Sequence, residues 1–124
     1  MIEKNIRIDV TTNDKNPEIK ADYNEDAERL IYKLYYEKNI YDIVDIDPFG
    51  SLYECLELGV KMAKRGLCVT FGHLRLKQLR CLDFMRDRYG IETIDEMNVD
   101  SLIAYVIKVG RRNGKTLEVF RQSV

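Results

Sequence analysis

An acid, a proline and an aromatic ring follow one another at Asp47-Pro48-Phe49, with Gly50 next. A carboxylate accepts hydrogen bonds from amino groups, and an aromatic face stacks on flat rings, so the group suits a flat, amine-bearing substrate. The same residues also make an ordinary turn, because proline presets φ and glycine tolerates the left-handed region. Other chemistries have less support. Cys55, Cys68 and Cys81 form no C-x-x-C pair and each lies in an apolar pattern, so all three read as small buried hydrophobes. His73 is the only histidine and has no ligand cluster around it, which argues against zinc; it reads as a solvated loop residue, with approach to a substrate as the alternative.

These residues must be held by strands and helices, and the chain alternates between the two. "NIRIDVTTN" (Asn5–Asn13) has apolar residues at every second position, the period of a strand. "EIKADYN" is a weaker second strand. "EDAERLIYKLYYEKN" predicts a helix with Ala27, Leu30, Ile31, Leu34 and Tyr35 on one stripe and Asn24 as N-cap. "IYDIVDI" predicts the third strand. A helix over residues 51–65 follows, with Ser51 and Glu54 at capping-box spacing and Gly66 as its stop. "LCVTFG" is a continuous apolar run, the pattern of a strand buried on both faces of a parallel sheet. A third helix, "LKQLRCLDFMRDRYG", turns Leu76, Leu79, Leu82 and Met85 inward and closes at Gly90. "VDSLIAYVIKVGRR" and "KTLEVFRQS" flank Asn113-Gly114, a short signal for a β-hairpin.

Alternating strands and helices imply an α/β fold with a parallel sheet. In such folds ligands bind beyond the carboxyl ends of the strands. Asp14, Asp26 and Asp47 then follow the first, second and third predicted strands and meet on one edge.

At 124 residues, with 45% hydrophobic and 33% charged side chains, the chain reads as one globular domain. No apolar run reaches the ~20 residues of a membrane span, and "MIEKNIRIDV" lacks the core of a secretion signal, so a cytoplasmic location is expected. The net charge of −1 hides an asymmetry: residues 61–88 carry eight basic and two acidic side chains. Arg75, Lys77 and Arg80 in this stretch are candidates to contact nucleic-acid phosphates, against the reading of a solvated helix face. A pI near 5.9 argues against strong non-specific nucleic-acid binding. Arg111, Arg112 and Lys115 read as a charged turn.

"DIVDIDPFGS" resembles the fourth motif of class I S-adenosylmethionine-dependent methyltransferases, and within them the Asp-x-Asp-Pro-Phe-Gly-Ser signature of the tRNA guanine-N2 dimethyltransferase family. "TTNDKN", "NEDAERLIY", "AKRGLCVTF" and "RDRYG" resemble further segments of that family, from about Ile6 to Gly90. The resemblance implies a three-layer, Rossmann-like, mostly parallel sheet, to which the C-terminal hairpin would be added. It implies S-adenosylmethionine as cofactor, with Asp14 accepting from the ribose hydroxyls, Asp26 accepting from the adenine amine, Ala27 packing nearby, and Asp45 in the same set. It also implies that Asp47 and the Pro48 carbonyl accept from a guanine exocyclic amine while Phe49 stacks on the base, in RNA. That family carries a glycine-rich loop after its first strand. Gly50 is the first glycine here, so the expectation is an N-terminally truncated domain lacking the usual first strand and helix. Three outcomes follow from it: a minimal methyltransferase, active alone or with a homodimer or partner chain supplying the missing sheet edge; a non-catalytic remnant that binds nucleic acid or protein; or an α/β interaction domain whose open edge pairs with another chain.

Overall fold

The computed structural model describes residues 7–47, 53–71, 82–90, 92, 93, 98–120 and 122. Over these the chain is α/β, with a two-stranded parallel sheet and four helices: α1 (Ala27–Tyr36), β1 (Tyr41–Ile46), α2 (Tyr53–Met62), β2 (Ala63–Val69), α3 (Leu82–Tyr89) and α4 (Val99–Arg112).

Helix α1 begins where the Asp26 carboxylate accepts from the backbone N–H groups of Glu28 and Arg29. Asp26, two residues after the expected Asn24, is therefore the N-cap. The Asn24 amide is used instead to hold the preceding loop, donating to the carbonyls of Asp14, Asn16 and Ile19. Leu30 is buried, while Tyr35, expected on the same stripe, is exposed. The helix closes with Lys38 at φ 62, and the N–H groups of Lys38 and Asn39 return to the carbonyls of Tyr35 and Leu34. This is a Schellman end with lysine where glycine is favoured.

β1 and β2 run parallel, with α2 packed on one face of the pair and also against α1 and α4. Gly59 permits the close approach of α2: a Cβ there would run into Ile46 Cδ1. Ile46, Cys55, Leu56, Val60, Val106 and Val109 form the core, with Val44, Leu67 and Val69 packed on it. α2 ends at Met62 and β2 starts at the next residue, earlier than the stop expected at Gly66. Pairing of Ala63 with Tyr41 starts the ladder there, and Gly66 lies within it against Ile43.

Four expectations need correction. β2 is not buried on both faces: Cys68 is exposed, as is Ile43 on β1, because α2 covers one side of the sheet. Residues 7–12 and 18–24 form no strands. A single parallel bridge, Asn13 to Tyr23, is what forms between them. Residues 99–112 are helix, and the C-terminal hairpin is absent from the described residues. Leu102, Val106, Val109 and Gly110 bury at helical spacing, and Asn98 caps the start through the Ser101 N–H. Asn113-Gly114 ends this helix: Gly114 has φ 72, its N–H donates to Arg111, and the Lys115 N–H donates to Gly110. A hairpin and a Schellman end both need a left-handed residue, so the dipeptide does not distinguish them. Gly90 closes α3 as expected, at φ 68 with its N–H on the Arg86 carbonyl. Ser51 and residues 72–81, with His73, Leu76, Leu79 and Cys81, lie outside the described residues, as do the side chains of Leu82 and Met85. No helix among the described residues is long and apolar enough to cross a membrane.

Candidate functional site

A cleft of about 780 Å³ opens between α1, the carboxyl end of β1 and the loop over residues 11–16. Its apolar wall comes from Leu30, Ile31, Val44 and Ile46, and its polar wall from Asp14, Glu25, Asp26, Asp45 and Asp47. Asp14, Asp26, Ala27, Asp45 and Asp47 were singled out from the sequence, and the fold brings all five to this cleft. Pro48 and Phe49, and the basic trio Arg75, Lys77 and Arg80, lie outside the described residues.

Each acid is placed by a local reason. Asp47 directly follows β1, and the Thr70 N–H on the Ile46 carbonyl keeps that strand end beside β2. Asp14 sits at the single bridge, where its N–H donates to the Tyr23 carbonyl. One Asp14 oxygen accepts from the Asn16 N–H at 2.9 Å, a tight Asx turn, and Asn16 repeats the turn on Glu18 at 3.0 Å. Asp14 Oδ2 carries no hydrogen bond among the described residues. Asp26 spends Oδ1 on capping α1 and has Oδ2 at 3.8 Å from Lys15 Nζ.

Asn13 was not singled out from the sequence as a site residue, yet it assembles this wall. Its side chain donates to the Glu25 carbonyl and accepts from the Glu25 N–H, both at 3.0 Å, a peptide-like pair that ties the first loop to the start of α1. The Asn13-Asp14 sequence gave no warning of that bond, because its partner is 12 residues away. Thr12 and Asp22 add a second tie, the Thr12 N–H donating to the Asp22 carboxylate at 2.8 Å.

Cys55 also lines the cleft. Burial pushes its thiol up to about 11, and the nearby charges of Glu28, Glu54 and Asp26 push the same way. A thiol so held is a poor nucleophile at neutral pH. Cys55 thus fits the reading as a small hydrophobe, and Cys68 on the open sheet face does not. Among the described residues no group of three or more His, Cys, Asp and Glu side chains could hold a metal ion.

The cleft can therefore do one thing well. It presents carboxylate acceptors around an apolar wall, within the ~300–1,000 Å³ range of small-molecule sites, and would orient a ligand rich in hydroxyl and amino donors. Comparisons with protein-family models, with curated proteins and with solved structures found no match.

Proposed function

We propose that the chain is an S-adenosylmethionine-dependent methyltransferase-like domain that acts on an exocyclic amine of a nucleic-acid base, in a tRNA-like guanine. The observation that carries this reading is the gathering of Asp14, Asp26, Ala27, Asp45 and Asp47 on one cleft from three separate stretches of chain. The finer fold, a Rossmann-like methyltransferase sheet, belongs to the same proposal.

The residues present fit an adenosyl group in part. Asp14 Oδ2 is available for a hydroxyl pair, and the apolar wall around Ala27, Leu30 and Ile31 offers a surface for a flat ring. When bound, the cofactor supplies an electrophilic methyl group on a sulfonium. Asp47 would accept from the amine N–H, direct the nitrogen lone pair, and hold the proton that the amine sheds. The Pro48 carbonyl would take the second N–H, and Phe49 would stack on the base, a contact worth ~1–3 kcal/mol. Positioning of the amine would dominate the rate. Arg75, Lys77 and Arg80 would hold the nucleic-acid backbone.

A second reading, a non-catalytic nucleic-acid- or protein-binding module, is favoured by the engagement of one oxygen each of Asp14 and Asp26 in local backbone bonds. Calorimetric titration with S-adenosylmethionine and S-adenosylhomocysteine tests the cofactor site. The expected result is binding that Asp14→Asn abolishes, since asparagine keeps the Asx turn but loses the charge. No heat at millimolar ligand sinks the methyltransferase reading. RNA binding that survives Asp47→Ala, with no methyl transferred, supports the second.

A further inference from the structure

Two features of this fold are each left without a partner among the described residues. The first is the edge of β1 away from β2: among the described residues β2 is the one strand paired with it, and that free edge lines the cleft beside Leu30, Ile31 and Leu34 of α1. The second is the segment 7–11, "RIDVT". It has the period-two pattern and the β-branched residues of a strand. None of its backbone groups makes a hydrogen bond among the described residues, and Ile8 and Val10 are 74% and 67% exposed. Its C-terminal end is anchored, since Thr12 is bound by both Asp22 and Tyr23.

We propose that these two features satisfy each other between two copies of the chain, residues 7–11 of each adding as a strand to the free β1 edge of the other. The lengths agree: five donor residues meet a strand of six. The side chains agree as well. With Ile8 and Val10 turned to the apolar wall of Leu30, Ile31 and Leu34, Arg7 and Asp9 fall on the open face that carries Ile43 and Asp45. Asp45 has no cationic partner among the described residues, whereas Asp42 is paired with Arg65 at 3.7 Å. Arg7, which lies 3.6 Å from Asp9 across an exposed pair, would be shared with Asp45 in the joint. The exchange is reciprocal, closes on itself as a two-fold dimer, and turns two isolated pairs of strands into larger sheets. It also shields an edge that otherwise invites aggregation. The pairing does not rest on the cofactor reading, since its donor and acceptor are backbone edges. It takes the wall of Leu30 and Ile31 that the cofactor reading gives to a flat ring, however, so a dimer and a bound cofactor compete for the cleft.

Sedimentation equilibrium and light scattering from micromolar to millimolar chain test it. The wild type is expected at twice the chain mass of 14.6 kDa. Ile8→Lys with Val10→Lys removes the donor, and Leu34→Lys damages the acceptor; each alone is expected to be a monomer with wild-type far-ultraviolet dichroism. Asp45→Arg replaces Leu34→Lys as the acceptor change if the latter fails to fold. Mixing donor-defective and acceptor-defective chains, each carrying one dye of an energy-transfer pair, restores one intact joint and hence energy transfer that neither chain shows with itself. A wild type that stays monomeric throughout overturns the proposal. So does a dimer that survives both defects, or a mixture that shows no transfer.

Discussion

Lys115 is the residue whose replacement tests most directly how α2 passes into β2. The helix ends at Met62 and the strand begins at Ala63, which leaves the last helical carbonyls without intrahelical donors. Lys115 reaches them from beyond α4: its ammonium donates to the carbonyls of Val60 and Ala63 at 2.6 Å each and to that of Lys61 at 3.3 Å. It places positive charge at the negative end of α2. Two short bonds from a charged donor are worth about 3–6 kcal/mol gross. Ordering the lysine side chain costs about 1–2 kcal/mol of this. Lys115→Met, which keeps the aliphatic stem, should therefore cost about 2–3 kcal/mol and lower the Tm by roughly 10 °C. Equilibrium urea unfolding followed by far-ultraviolet dichroism reads the loss. Lys115→Arg should fall between the two, because a planar guanidinium cannot point its donors at carbonyls converging on one centre. A Lys115→Met chain within about 0.5 kcal/mol of the wild type, the range of neutral surface changes, would refute the reasoning, since the carbonyls would then be satisfied without the ammonium.

Other outcomes follow from the same packing. Gly110→Ala should destabilise by about 1–3 kcal/mol, since its methyl would meet Leu117 at 2.7 Å and the Lys115 carbonyl at 3.2 Å; Gly59→Ala should cost less, because the obstructing Ile46 Cδ1 is a side-chain end that can turn. Lys38→Gly should stabilise by about 0.5–1 kcal/mol, as it relieves a left-handed lysine, and thermal melts read the gain. The Arg112 hydrogen bond, aided by Asn113 and opposed by burial, holds the Glu57 carboxyl below its ordinary value of 4.5. A depressed carboxylate stabilises the fold above its unfolded pKa, and that contribution is lost as pH falls through the folded value. Glu57→Gln should therefore flatten the acid limb of the stability curve below pH 4.5 in urea melts taken across pH, and a limb of unchanged slope would show that Glu57 carries none of it. In a thiol titration with a disulfide reagent at pH 8, Cys68→Ser should remove a fast-reacting equivalent, whereas Cys55→Ser should leave the fast phase intact.

The sequence by itself determined the elements whose signals are local. The stripe of Leu30, Ile31 and Leu34 marked α1, "YDIVDI" marked β1, and Gly90 marked the end of α3. The order strand, helix, strand around Gly50 was enough to predict a parallel pair, because two adjacent parallel strands need a crossover between them. Asp47 could be expected at the sheet edge for the same reason, whereas Asp14 and Asp26 reach the cleft without the strands expected before them, held by the Asn13–Glu25 pair and the cap of α1. Tertiary structure decided what depended on distant partners. The helix over residues 99–112 won over a strand because the faces of α2 and α4 bury one another, and Glu57, 55 residues before Arg112, bonds its C-terminal end. Asn113-Gly114 supplied a left-handed residue to either outcome. The start of β2 at Ala63 rests on Tyr41 across the ladder and on Lys115 from behind, neither of which is visible in the local pattern of residues 60–66. A period-two pattern at Ile8 and Val10 states that a strand is possible; an edge must be present to make it one.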